Sequence, residues 1–278
     1  MTRILLLTPD PSWKVAADIA EIEHQLAIID GLGLEFKTQP WTDLSGYENH
    51  DLIVPLMAWG YHQLLPQWLS LLDRLAQHKV LNPVSVLRWN WDKAYLLELA
   101  GRGVPVVPTL GFDAFSQADL EAARAHFGTG DLVIKPPVSA GADGTFLLLG
   151  DAPAPAMSLG QRMLVQPMMP AIASEGEFSL IYFGGSFSHA VLKTPQSGDF
   201  RVQSQFGGTD IAVRPEPAAL AAASAALACT PEPTAYARVD LVRDSGGGFV
   251  LMELELIEPY LWLDSAPDGG IAFTGALT

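Results

Sequence analysis

Three carboxylates in the last fifth of the chain have the spacing that a divalent cation needs. Asp240 lies in the apolar run Ala235–Arg243, and Glu253 and Glu255 lie in Phe249–Ile257. The segment Asp244-Ser245-Gly246-Gly247-Gly248 between them reads as a hairpin loop. Residues two apart on a strand face the same side, so Glu253 and Glu255 share a face. A loop centred near Gly246-Gly247 puts Asp240 opposite Glu253. Like charges placed opposite one another destabilise a sheet, and a cation between them removes that cost. Mg²⁺ takes oxygen ligands and commonly bridges one or two carboxylates to substrate phosphates. Taken alone, the hairpin reads more simply as a half-exposed strand with its acids in water. Glu258, just before Pro259, reads as a strand-end residue close enough to face a substrate.

Two lysines extend the argument. Val133-Ile134-Lys135-Pro136 puts Lys135 at the end of an apolar strand. A lysine there is rarely buried without an anionic partner. The small-residue run Ser139-Ala140-Gly141-Ala142-Asp143-Gly144-Thr145 follows. Small residues let backbone N–H groups approach a phosphate closely. The run matches neither standard nucleotide-loop fingerprint, and alone it reads as an ordinary turn. Lys93 follows Asp92 in a first helical turn, where the helix dipole mildly disfavours a cation. A bound anion would offset that cost, and a solvated surface lysine is the plainer alternative.

The elements that must position these groups fall into three units. Over residues 1–82, strands at Ile4–Leu7, Leu34–Thr38, Asp51–Met57 and Val80-Leu81 alternate with helices. The first helix carries Val15, Ile19, Ile22, Leu26 and Ile29 on one face, and the second carries Leu64, Leu65, Trp68, Leu71, Leu72 and Leu75. This alternation implies a small parallel α/β layer. Over residues 83–158, a helix at Asp92–Ala100 and strands at Val104–Val107, Leu132–Lys135 and Phe146–Leu149 are expected. Ser116 and Asp119 form a capping box there. Over residues 159–278, Met163–Gln166 is a strand, and Gly184-Gly185 joins Phe178–Phe183 to Ser186–Leu192 in a hairpin. A helix follows at Pro217–Ala228, and then the acidic hairpin.

Composition bounds the class. Of 278 residues, 49% are hydrophobic and 17% charged, enough for a sizeable core and too little charge for wholesale disorder. The formal charge of −15 argues against nucleic acid or an anionic membrane as main partner. Cys229 is the single cysteine, so no intramolecular disulfide forms and a reducing cytoplasm fits. No apolar run reaches the roughly 18 residues of a membrane span.

Taken in order, these pieces resemble the ATP-grasp superfamily, most closely its glutathione-synthetase-like branch. The resemblance covers about residues 80–258. It rests on Asn82-Pro83 with Arg88 and Asp92-Lys93; on Val133–Pro136; on the 139–145 loop; on Gln166-Pro167-Met168-Met169-Pro170 and Gly176-Glu177; on Lys193-Thr194-Pro195, Phe200-Arg201 and Gly207-Gly208; and on Ala237–Asp240 with Glu253-Leu254-Glu255. It implies an α/β fold in which an N-terminal parallel domain precedes two α+β subdomains that clasp ATP. It implies ATP and Mg²⁺, with Mn²⁺ as a substitute, and a small-molecule carboxylate and amine as substrates. A homodimer is compatible with it.

The roles carry over residue by residue. Lys93 and Lys135 look like the lysines that hold the ATP phosphates. The loop with Ser139, Gly141 and Gly144 looks like the lid over them. Gln166, Pro167, Met168 and Met169 look like the hinge whose backbone reads adenine, and Glu177 like the ribose-binding acid. Lys193 and Arg201 look like catalytic cations near the γ-phosphate and an acyl phosphate. Asp240, Glu253 and Glu255 look like the Mg²⁺ ligands. The family often has Asn where Glu255 stands, and a common Arg is Ser179 here. Glu-x-Glu followed by Leu-Ile-Glu-Pro resembles ligases of the D-cycloserine-forming type, which close an amide-type bond within an amino-acid derivative. A kinase and a non-catalytic nucleotide-binding protein are the alternatives. Trp59, Tyr61 and His62, just past a strand, suit the wall of an acceptor pocket, because ligands sit beyond the carboxyl ends of parallel strands.

Overall fold

Apolar β-branched and leucine runs flanked by turn residues give the chain three sheets. The computed structural model describes residues 2–199, 201–202 and 206–277. Phe200, part of the Phe200-Arg201 motif, lies outside them.

The first sheet is parallel, in the order β2-β1-β3, with β1 at Ile4–Thr8, β2 at Phe36–Pro40 and β3 at Leu52–Val54. Parallel neighbours need crossovers, and α1 (Ala16–Gly31) supplies the first. Ile22 and Ile29 bury its inner face. Val15, just before the helix, and Ile19, both expected on that face, are 40% and 37% exposed, and Val15 lines a cavity. Pro55 ends β3 earlier than expected, and Val80 joins only as a single bridge to Ile53. The second helix, α2 (Leu65–Leu75), buries Trp68, Leu71, Leu72 and Leu75 as its spacing implies. A short α3 (Val84–Asn90) and α4 (Tyr95–Gly101) follow.

The second sheet is antiparallel, in the order β4-β7-β5-β6: β4 Leu110–Phe112, β5 Leu132–Lys135, β6 Phe146–Leu148 and β7 Met163–Pro167. The expected boundary at 158/159 put Met163–Gln166 in the third unit. Instead, β7 hydrogen-bonds to β4 and β5 and fills the centre of this sheet. Helix α5 (Gln117–Phe127) starts with the capping box, Asp119 N–H to Ser116 Oγ at 3.2 Å and Ser116 N–H to Asp119 Oδ2 at 2.9 Å.

After a short α6 (Pro170–Ser174) comes the third sheet, β10-β9-β8-β11-β12. Its strands are β8 Glu177–Phe183, β9 Ser186–Thr194, β10 Thr209–Val213, β11 Tyr236–Arg243 and β12 Phe249–Glu255. Helix α7 (Pro217–Leu227) buries Ala219, Ala222, Ala223 and Ala226, small side chains that let it lie close to the sheet. Helix α8 (Ile271–Ala276) packs Phe273 against Phe183.

β12 is an edge strand, and an edge leaves backbone groups unpaired. Here they are taken up. Asn90 Nδ2 donates to Leu254 O at 2.7 Å, and Leu256 N–H donates to Asn90 Oδ1 at 2.9 Å. Leu254 N–H donates to the Tyr95 hydroxyl at 2.8 Å, which donates back to Leu254 O at 3.0 Å. Asn82 Nδ2 reaches Leu256 O at 2.8 Å. The segment 104–107, expected as a strand, instead contributes two backbone bonds to Leu251. The edge that carries the acids is thereby fixed by residues of both preceding units.

Candidate active site

The second and third sheets, with α1 and the segments that follow β1 and β3, border a cavity of about 510 Å³, a size that suits a small ligand. All the sequence-predicted site residues line it except Gly144. Gly144 has φ +66°, and a Cβ there would come within 2.8 Å of Pro136 Cγ. It shapes the turn that carries Ser139 and Gly141 to the wall.

Within the acidic hairpin, Asp240 pairs with Glu253 and Arg238 with Glu255. A register shift between Asp240 and Leu241 leaves Met252 as the extra residue of a β-bulge. The expected alignment is present, but the cations between the acids are protein side chains. Asp240 is buried. Its Oδ1 accepts from Ser179 Oγ at 2.6 Å, and its Oδ2 meets Lys193 Nζ at 3.2 Å and Arg238 at 3.0 Å. Arg238 also pairs with Glu255. Glu253 meets Lys93 Nζ at 3.1 Å. Among the described residues, no group of three metal-ligating side chains is placed to hold an ion. The three carboxylates stand in a ladder of ion pairs. Two oxygens stay open, in that neither Glu253 Oε2 nor Glu255 Oε2 accepts a hydrogen bond from a described residue.

The lysines differ from one another. Lys93 precedes α4 and is not in its first turn, as had been expected. It is buried, donating to the Ser139 carbonyl as well as pairing with Glu253. Lys135 is 7% exposed and makes no hydrogen bond or ion pair with a described residue. Burial lowers its pKa, partly opposed by the charge of Glu253. Lys193 bridges Asp240 and Glu177, the latter at 2.5 Å. Arg201 is held by Asp199 at 2.8 Å and stacks on the Phe206 ring at 3.7 Å.

The electrostatics follow from this packing. Burial pushes Glu177 up, although Lys193 opposes it. Burial would lower Lys193, but Asp240 and Glu177 outweigh it and leave it raised. Burial would raise Asp240, but Arg238 and Lys193 hold it at about 2. Burial lifts Glu255 to about 7 against the pull of Arg238.

At the hinge, Gln166 Nε2 donates to Thr109 Oγ1 at 2.9 Å and Met168 N–H to Asp131 O at 2.9 Å. Pro167 has no N–H. The N–H of Met169 has no partner among the described residues. On the opposite wall, Tyr61 and His62 are buried and Trp59 Nε1 donates to Glu258 O at 2.8 Å.

Sequence reasoning gave no role to Arg238 or Trp262. The Arg-x-Asp spacing put Arg238 on the face of Asp240, and that was its signal. Trp262 reaches the site through a left-handed backbone position, φ 42°, which no local pattern marks. Its ring lies 5.3 Å from the Arg238 guanidinium and 5.9 Å from Lys193 Nζ.

No protein-family model matches the chain. A curated relative, the cycloserine biosynthesis protein DcsG of Streptomyces lavendulae, is 29% identical over 270 residues, covering 88% of this chain and 89% of the relative. The crystal structure of D-cycloserine synthetase DcsG superposes with a TM-score of 0.81 at 26% identity, covering 99% of this chain and 98% of that one. A D-alanine–D-alanine ligase from Bacillus anthracis, complexed with ATP, shares the fold, with a TM-score of 0.66 at 14% identity over 100% of this chain and 96% of its own.

Proposed function

We infer that this chain, which belongs to the ATP-grasp superfamily, is an ATP-dependent ligase that closes a C–N bond within one small amino-acid-like molecule, a ring closure of the D-cycloserine-forming type. The observation that carries the nucleotide reading is Lys135, a buried ammonium with no hydrogen bond or ion pair to a described residue, facing the cavity beside Lys93. A phosphate supplies what it lacks. The ring-closing reading rests on the end-to-end likeness to a D-cycloserine synthetase.

The residues divide the work. Lys93 and Lys135 hold phosphate oxygens, with Ser139 and Gly141 on the loop beside them. Adenine meets the hinge through Met169 N–H, a hinge donor without a partner among the described residues. Glu177, steadied by Lys193, takes a ribose hydroxyl. Lys193, Arg201 and Arg238 surround the place where carboxylate and phosphoryl group meet, and they stabilise charge that develops there as an acyl phosphate forms and the nitrogen displaces phosphate. No protein nucleophile is required.

The donor set fits Mg²⁺. Glu253 and Glu255 share a face, are oxygen donors, and each keeps one oxygen open. Bound there, Mg²⁺ would offset phosphate charge, and Mn²⁺ would suit the same oxygens. Asp240 joins them only by exchanging Lys193 or Arg238. The single cysteine and acidic balance suit a reducing cytoplasm.

The test is a panel of amino-acid derivatives with ATP and Mg²⁺. Substrate-dependent ADP with free phosphate is expected, and Glu253→Ala should weaken MgATP binding. Phosphate retained on the acceptor would make the protein a kinase. Tight ATP binding without turnover on any substrate, or an unaffected Glu253→Ala, would count against the reading.

A further inference from the structure

Almost every carboxylate on the cavity wall already has a partner. Glu177, Asp240, Glu253 and Glu255 face lysine or arginine. Asp18 and Asp210 accept the indole N–H groups of Trp13 and Trp262, at 3.0 and 2.9 Å. Asp143 faces His62 Nε2 at 3.9 Å. Glu258 differs. Apart from its own backbone N–H, its carboxylate has no hydrogen bond or ion pair with a described residue.

Its place is fixed all the same. The Trp59 indole holds its carbonyl, and Pro259 follows it in sequence. Glu258 lies three residues past Glu255 on the chain that leaves β12. The chain bends at Ile257 and Glu258, and Glu253, Glu255 and Glu258 all line the same cavity. Tyr61 stands beside it, its phenol kept neutral by burial and then by the charge of Glu258. His62 Nδ1 nearby in sequence is a second buried polar atom without a partner on the same cavity. Burial, and next the charge of Glu255, push the Glu258 carboxyl well above its usual range, with Lys93 opposing. A half-buried carboxylate without a protein cation is satisfied by a cation that comes from solution.

We propose that Glu258 binds the free ammonium of an amino-acid substrate and so sets which end of that molecule faces ATP. This rests on the ligase reading above. Phosphates and the activated carboxylate lie among the lysines and Arg238. The ammonium lies at the other end, between Glu258 and the Trp59–His62 segment. A substrate whose amine is acylated loses this contact.

The test uses D-cycloserine and N-acetyl-D-cycloserine as probes, titrated calorimetrically into the full chain with ADP and Mg²⁺. Wild type should bind D-cycloserine at least about tenfold more tightly than the acetylated form. Glu258→Gln should bind D-cycloserine at least about tenfold more weakly, bind the acetylated form as wild type does, and keep its ADP affinity. Tenfold is 1.4 kcal/mol. Equal binding of the two probes by wild type overturns the inference whether or not the variant folds. So does a Glu258→Gln variant that still discriminates between them. In both cases the ligase reading survives. If wild type binds ADP but neither probe, the D-cycloserine-type substrate class fails, and the inference fails with it.

Discussion

Asp240 lies directly opposite Glu253, and a one-residue bulge at Met252 accompanies that pairing. Between these acids and Glu255 stand Arg238 and Lys193, so the acids are balanced by the chain's own cations. Binding as proposed above would exchange these partners, phosphates taking lysines and a metal ion taking glutamate oxygens.

Arg238 is the joint of this ladder. Removing it leaves Asp240 and Glu255 without their shared cation. Breaking a buried pair by deleting one member costs about 3–5 kcal/mol. Arg238→Met should lose stability on that scale in urea unfolding. A loss under about 1 kcal/mol would show that water screens the pair.

Lys135 should behave in the opposite way. With no partner among the described residues, its buried ammonium costs stability. Lys135→Met should raise the unfolding free energy by on the order of 1 kcal/mol, about 2–4 °C in Tm. It should also weaken ATP about tenfold to a hundredfold, the loss of a charged hydrogen bond. A variant that is less stable and still binds ATP normally would contradict the role given to Lys135.

The edge of β12 predicts a link between framework and site. Tyr95→Phe strips the hydroxyl that serves both backbone groups of Leu254. A buried unsatisfied group costs about 1–3 kcal/mol. Because Leu254 lies between Glu253 and Glu255, the KM for MgATP should rise together with the loss of stability. Stability loss with an unchanged KM would separate the two.

How much of this was legible follows from where each signal lies. The alternation of Glu253 and Glu255, the loop glycines, the order of the lysines and the Ser116–Asp119 cap are local patterns, and each could be read from spacing. The edge clamps were not legible. Asn82, Asn90 and Tyr95 bond to a strand more than 150 residues away, and nothing in their own neighbourhood marks that. β7 was placed in the wrong unit for the same reason, since a short apolar strand does not announce its partners. The open valence of Glu258 needed the partners of the other acids to be known first.

His189 gives a pH dependence. Its ring donates to Leu261 O at 2.8 Å and lies 2.9 Å from Ser188 Oγ, an arrangement that suits the neutral form. Burial lowers its pKa from the ordinary 6.5. Below that pH the unfolded chain binds a proton that the folded chain does not, so stability falls as pH drops through about 6.5. His189→Gln lacks this loss. The stability advantage of wild type over the variant should be smaller at pH 5.5 than at pH 7.5 in urea unfolding, and a constant difference would contradict the assignment.

The central claim is that this chain activates a carboxylate with ATP before closing a C–N bond. Isotope transfer tests it most directly. An amino-acid derivative labelled with ¹⁸O in its carboxylate is turned over with ATP and Mg²⁺, and the released phosphate is analysed by mass spectrometry. One ¹⁸O in each free phosphate is expected, in step with the ring-closed product and ADP. Unlabelled phosphate, or phosphate still attached to the organic product, would contradict it.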